Sequence, residues 1–337
     1  MRFGAIFLVL LAGCRIETAT PKSASGADCS KPSGDVWIYT SMYREVVDRF
    51  DPLLKQRLPQ VNVHWFQAGT EKVLARLEAE LQAGGTQADV LLVSNPFLYR
   101  RLKDEGRLQP YVPPGALRAP RSLVDDDGAY APVRLSTMVM VKRAGATAPD
   151  SFAGLVDPRF KDKVALGDPL SSGTAFTWSV FLKQSDGVEV FQRLRDNGAR
   201  LAGGNAAVLQ KIEGGEADVG VLLLENALAA QAKGSKVEVV WPKDGAVVIP
   251  GDAAIFKTTR NLQGAQAVID ELFSDEGQRL IVGGDMHAVD PRLPGPGTEP
   301  ALDELMKRSR PWSPALEKEG VEQAETLKTE IQKVFAK

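Results

Sequence analysis

The chain has 337 residues, a formal net charge of −2, and apolar and charged fractions of 44% and 25%. That length is more than one core comfortably holds and suits two lobes. The charge balance excludes the basic footprint of a nucleic-acid binder, and past the first dozen residues no apolar run approaches the ~18 residues of a membrane-spanning helix.

The N-terminus reads as a processing signal, with Arg2 followed by a short apolar stretch from Phe3 to Leu11. It ends in Leu11-Ala12-Gly13-Cys14, which resembles the bacterial lipobox. The resemblance implies a signal peptide over residues 1–13 and a lipid anchor on Cys14, so the protein is expected outside the cytoplasm, on a bacterial membrane in the periplasm or at the cell surface. Cys29 then has no intrachain partner. Residues 14–34, rich in Ser, Ala, Thr, Pro and Lys, read as a flexible linker.

Val36 to Tyr39 is expected as the first strand, followed by Thr40-Ser41 and a helix that ends before Pro59. Val61 to Phe66 is the next strand. His64 alternates there with Val63 and Trp65 and reads as a half-buried structural residue. Gly69-Thr70 precedes a periodic helix through Val73, Leu74, Leu77 and Leu81. Ala88 to Val93 is a nearly continuous apolar run, the pattern of a parallel strand covered on both faces. Ser94-Asn95-Pro96 and another helix follow. Asp125 to Asp127 lacks calcium-loop spacing and reads as a solvated turn. Pro132 to Lys142 is a strand with Arg134 as its one odd, charged member.

Val164 to Leu182 reads as a strand, a polar turn and a buried helix. Ser171, Ser172, Gly173 and Thr174 fall at that helix's N-terminus, where free amides and a partial positive charge suit an anion. Ser172 or Thr174 equally suits a simple cap. Trp178 reads as core or as a stacking surface for a sugar ring. Helices over 188–195 and 206–212 come next. The run Gly214-Gly215 … Ala217-Asp218-Val219, a buried strand and Glu225-Asn226 then repeats the order of Gly84-Gly85 … Ala88-Asp89-Val90, strand and Ser94-Asn95. The same α/β unit is built twice. Strands are expected at 237–241, 246–249 and 253–256, and helices at 262–273 and 276–282. His287 is expected in an exposed loop. A Pro/Gly-rich stretch over 291–300, a helix at 301–307 and one amphipathic helix over 315–335 close the chain.

Alternating strands and helices of this kind define an α/β protein. A small polar group follows each strand, and in open α/β sheets ligands bind at those carboxyl ends. The chain has no P-loop, no G-x-S-x-G elbow and no zinc spacing, and it pairs no nucleophile with a base. A binder without catalytic residues, metal or cofactor is expected, not an enzyme.

The stretches VWIYTSMYRE, ADVLLVSN, GDPLSSGTAFTW, GEADVGVLLLEN and DGAVVIPGDAAIFK, in this order, resemble the bacterial type II periplasmic substrate-binding proteins. The branch is the one that holds ferric-iron, phosphonate and sugar-phosphate binders of ABC importers. The resemblance covers residues 36–289. It implies two α/β lobes, each an open mixed sheet flanked by helices, with two crossover strands as the hinge. Lobe 1 is expected over 35–132 and 246–290, lobe 2 over 133–245, and residues 291–337 as loop and helices packed on the lobes. A monomer that hands its solute to a membrane permease and its ATPase is implied.

Ferric-binding members carry adjacent tyrosines after the strand matching Val219 to Leu224; here Leu223, Leu224, Glu225 and Asn226 stand there. The expected ligand is therefore a small anionic organic solute bearing phosphate or phosphonate. Ser41, Thr70, Ser94, Asn95 and Ser171 to Thr174 are the expected binding residues. Glu225 and Asn226 suit an amine or hydroxyls, and Arg134 either adds a charge or forms a surface ion pair. Ferric iron and a ligand-sensing lipoprotein are the alternatives.

Overall fold

The computed structural model describes residues 31–336. Cys14, Cys29 and the leader lie outside them. In chain order the elements are β1 (Gly34–Thr40), α1 (Arg44–Arg57), β2 (Val61–Gln67), α2 (Thr70–Gln82), β3 (Val90–Val93), α3 (Pro96–Asp104), β4 (Leu108–Gln109) and β5 (Ala131–Arg143). Then come β6 (Val164–Leu166), α4 (Gly173–Asp186), α5 (Glu189–Asp196), β7 (Arg200–Leu201), α6 (Asn205–Glu213), β8 (Val219–Leu223), α7 (Leu224–Ala232) and β9 (Val237–Val240). Finally there are β10 (Val247–Phe256), α8 (Leu262–Leu272), α9 (Asp275–Gly283), β11 (His287–Ala288), α10 (Leu302–Lys307), α11 (Pro314–Glu322) and α12 (Ala324–Phe335).

The strands form one mixed sheet with the path β2-β1-β3-β10-β5-β8-β6-β7. Parallel β2, β1 and β3 make one wing, with α1 to α3 following its strands in sequence. Parallel β8, β6 and β7 make the other, which α4 to α7 serve in the same way. Long antiparallel strands β10 and β5 join them. The first part of β5 pairs with β10 from Ala131 to Met138, and its second part pairs with β8 from Met138 to Lys142. β5 is buried from Ala131 through Val141, which explains the near absence of alternation in its sequence.

The repeated Gly-Gly … Ala-Asp-Val signature has a structural cause. In both copies a helix ends at the glycines and the apolar run enters a fully buried strand, β3 or β8. The aspartate then braces a neighbouring strand. Asp89 accepts the Trp37 amide of β1 at 2.8 Å, and Asp218 accepts from Arg143 of β5 at 2.7 Å.

Four expectations are corrected. Residues 246–249 and 253–256 are one strand, β10, because a bulge at Gly251/Asp252 absorbs the Pro-Gly-Asp irregularity without ending the ladder. The terminal amphipathic run is two helices, broken at Gln323. His287 is buried: it pairs with Leu135 of β5, and its Nε2 lies 2.8 Å from the Pro300 carbonyl oxygen. Asp125 is tied to Lys103 with its carboxylate buried, so only Asp126 and Asp127 are solvated. His64 is half-exposed, stacked on Trp37 and bonded to Asp35 at 2.9 Å. Trp178 is core, packed edge-on to Phe152.

Candidate functional site

Each polar group placed after a strand sits at a helix N-terminus, and five of these termini converge on one cavity of about 180 Å³ between the wings. The N-cap positions are Tyr43 of α1, Gly69 of α2, Ser172 of α4, Gly204 of α6 and Leu223 of α7, and all five line it. Only Ser172 caps its own helix with its side chain, accepting the Ala175 amide at 3.3 Å. At the other four ends the N-cap residue makes no side-chain cap. A helix end carries a partial positive charge of roughly half a unit, so the cavity wall is electropositive without needing many basic residues.

The hydroxyls are arranged as donors. Ser172 Oγ and Thr174 Oγ1 lie 3.0 Å apart, and Asn205 Nδ2 donates to Thr174 Oγ1 at 3.0 Å. The mutual bond uses one of the two hydroxyl hydrogens, so the other is free to point into the cavity. Across the cleft, Ser41 Oγ accepts the Ser94 amide at 3.2 Å, leaving its own hydrogen free. Ser94 Oγ is buried and has no partner.

Arg134 and Glu225 are the charged members. Arg134 is 3% exposed and lies opposite Gly251 of β10 and Ala288 of β11. A side chain at 251 would collide with the guanidinium: a Cβ there would stand 2.8 Å from Arg134 Cγ and 3.0 Å from Cζ. Its Nη1 donates to Ser136 Oγ at 2.7 Å, its Nε has no partner, and among the described residues no carboxylate pairs with it. Burial holds its pKa down, opposed by the nearby Glu225 charge. Glu225, also 3% exposed, has an unpartnered Oε1, and burial pushes its pKa up against the pull of Ser136 and Arg134. Among the described residues, nine buried side-chain polar atoms lack partners. Four of them, Ser94 Oγ, Arg134 Nε, Asn205 Oδ1 and Glu225 Oε1, belong to residues lining this one cavity. Folded proteins rarely leave such groups unpaired, and the concentration singles this cavity out as the candidate site.

Of the residues expected at the site, Ser41, Thr70, Ser94, Arg134, Ser171, Ser172, Thr174 and Glu225 meet around the cavity. Three do not. Asn95 turns back to cap α3, accepting the Leu98 amide at 3.3 Å. Asn226 accepts the Tyr43 hydroxyl at 2.8 Å and faces a neighbouring hollow. Gly173 lies behind the rim, where a Cβ would stand 2.8 Å from Thr70 Cγ2 and 3.2 Å from the Ser94 carbonyl oxygen. It is one of the points where the wings touch. Tyr43, Ser136 and Asn205 line the cavity unforeseen. Ser136 was within reach of sequence reasoning, since it stands two residues from Arg134 on the same face of a strand. Asn205 follows Gly203-Gly204 after a short strand, the same grammar as the residues that were found.

A family pattern described as bacterial extracellular solute-binding protein matches residues 36–283. The chain belongs to this family. Its fold is shared by solved structures of low sequence identity. Iron-bound HitA from Pseudomonas aeruginosa is 16% identical, with a TM-score of 0.77 over 88% of this chain and 99% of that one. The substrate-binding protein of an ABC transporter from Agrobacterium tumefaciens is 18% identical, at 0.78 over 91% and 96%. The periplasmic binding protein AfuA from Actinobacillus pleuropneumoniae, with fructose-6-phosphate bound, is 21% identical, at 0.78 over 90% and 99%. Among curated proteins, an uncharacterized protein of Haemophilus influenzae is 28% identical over 150 residues, and the match spans 43% of each chain. The family and these fold neighbours are binding proteins, and the mixed α/β sheet flanked by helices matches their fold.

Proposed function

We propose that the protein is the extracytoplasmic solute-binding component of an ABC importer, and that it captures a small anionic organic solute bearing phosphate or phosphonate. The wings act as two lobes, 35–132 with 246–290 and 133–245, that close on the solute about β5 and β10 and present it to a permease and its ATPase. The observation that carries this reading is Arg134, a buried guanidinium with no carboxylate partner, set in a cavity ringed by open helix ends. Burying an unpaired cation costs several kcal/mol, a cost an incoming anion offsets. Amides, hydroxyls and a guanidinium together form the donor set that phosphate-type oxygens need. The leader and Cys14 fit a lipid tether that holds the binder beside its permease.

The same cavity argues against Fe³⁺. A ferric ion seeks several anionic oxygen ligands, and here a lone phenol, Tyr43, and one carboxylate stand beside a fixed positive charge.

A thermal-shift panel tests the reading. At ligand concentrations a hundred times Kd, a phosphate or phosphonate compound should stabilise the protein by about 2.7 kcal/mol, and ferric citrate should not. Arg134→Met should weaken that binding by about thirty-fold or more. A tyrosinate–iron colour on adding ferric citrate, or full binding by the variant, would refute it.

A further inference from the structure

We infer that the solute is a zwitterion, carrying a cationic amine as well as its anionic group, and that the amine is received by Glu225 with Asn205 beside it. The inference rests on the anion reading above and narrows it.

It follows from a donor and acceptor inventory of the cavity. The groups suited to an anion are plain: open amides, the free hydroxyl hydrogen of the Ser172–Thr174 pair, and Arg134. Two other groups do not serve an anion while Glu225 is ionised. An ionised carboxylate only accepts hydrogen bonds, and so does an amide oxygen. Glu225 Oε1 and Asn205 Oδ1 are both buried and both unpartnered. The protein's nearby donors are already committed: Asn205 Nδ2 to Thr174, the Tyr43 hydroxyl to Asn226, and Arg134 Nη1 to Ser136. A solute made only of phosphate oxygens leaves both acceptors empty and brings more negative charge up to Glu225.

Charge counting separates an amine from a hydroxyl. The cavity holds one guanidinium and one carboxylate, with no other ionised group from the described residues among its lining. Once a phosphate or phosphonate enters, Arg134 must serve two anions. The helix ends offset part of the solute's charge, but buried Glu225 must then share the pull of Arg134 with the solute and keeps only the hydrogen-bonding groups beside it, Ser136 among them. A hydroxyl supplies a hydrogen bond and no charge; an ammonium supplies both. A space of about 180 Å³ is below the usual range for drug-sized ligands, so the amine and the anion are expected on one compact skeleton.

Matched pairs of probes test this on the wild-type protein: 2-aminoethylphosphonate against ethylphosphonate, and glucosamine 6-phosphate against glucose 6-phosphate, by calorimetry. The aminated member of at least one pair should bind about ten-fold or more tighter. Glu225→Gln should erase that preference from both sides, weakening the aminated member and tightening the amine-free one, whose anion no longer meets a second negative charge. Because an ammonium favours ionised Glu225, whose pKa burial raises, binding of the aminated member should release a fraction of a proton, seen as a buffer-dependent heat. Equal affinities within each pair, or a Glu225→Gln protein that still discriminates, would overturn the amine and leave the anion reading standing. Binding by no member of either pair would overturn both.

Discussion

A guanidinium and a carboxylate that lie close together inside a protein usually meet directly. Arg134 and Glu225 do not; Ser136 stands beside both, bonded to the first and pulling on the second. This spacing leaves each with an unpartnered atom for a third party. A further buried acid lies on the same pair of central strands but faces elsewhere. Asp252, at the bulge of β10, is fully buried with both carboxylate oxygens unpartnered, and it shares an acidic pocket with Asp125, Tyr130 and Glu317. Burial and the Asp125 charge raise its pKa well above 3.8. The sign of the consequence is fixed. A carboxyl whose folded pKa is raised favours the fold when protonated, so its stability is fully present below about pH 4 and is lost as pH rises toward the folded value. Asp252→Asn should therefore match the wild type near pH 4 and become progressively more stable than it at higher pH. Parallel melting curves across that range would count against an unpaired acid at this position.

At the scale of elements, the part of the site supplied by helix ends was legible in the sequence. Gly69-Thr70, Ser94-Asn95 and Ser171 to Thr174 each combine a small or polar cluster with the start of an apolar-periodic run, and that combination is what a helix N-terminus after a strand requires. Arg134 was visible as a charge inside a strand, but whether it met solvent or the cleft depends on β10 and β11 lying on either side of it, which no local pattern records. Asn95 and Asn226 went astray for a related reason. Occupying the position after a strand does not decide whether the side chain turns forward into the cleft or back onto its own surroundings. The bulge that keeps β10 whole and the break at Gln323 are set by tertiary packing, so periodicity ran past one and stopped short at the other.

The start of α4 also sets how far the wings can approach. Gly173 abuts Thr70, the first residue of α2, and the Ser94 carbonyl. Gly173→Ala should lower the stability of the ligand-free protein by about 1–3 kcal/mol, because the added methyl would stand 2.8 Å from Thr70 Cγ2 and must push it aside. It should also lower solute affinity by about ten-fold, because the added methyl props the wings apart where they must touch. Calorimetry and thermal melting on the one variant check both signs. Unchanged affinity would show that the contact plays no part in closure.

For the molecule as a whole, the two wings are linked by more than β5 and β10. Helix α11 packs on α3 of one wing and α4 of the other. Lys183 of α4 pairs with Glu319 at 2.8 Å, and Lys328 of α12 reaches Glu71 of α2 at 3.0 Å. Glu71 and Lys328 border a hollow of about 490 Å³ between α2, α3 and the terminal helices. The terminal helices thus form a tie along one flank, and any closing motion pivots against it.

Trp312, just ahead of α11, occupies the seam of that tie. Its ring lies 5.1 Å from Phe181 of α4, edge-on, and 5.8 Å from Phe97 of α3, while its indole N–H donates to the Val248 carbonyl at 2.9 Å. A tryptophan clamped between the two wings would serve as an optical gauge of the closure proposed above: if the angle between them changes, its emission maximum and quantum yield change with it. Solute binding should then be readable as an intrinsic fluorescence signal without any attached dye. Trp312→Phe should silence most of that signal while calorimetry still records binding, which makes this residue a natural starting point for a biosensor built on the fold.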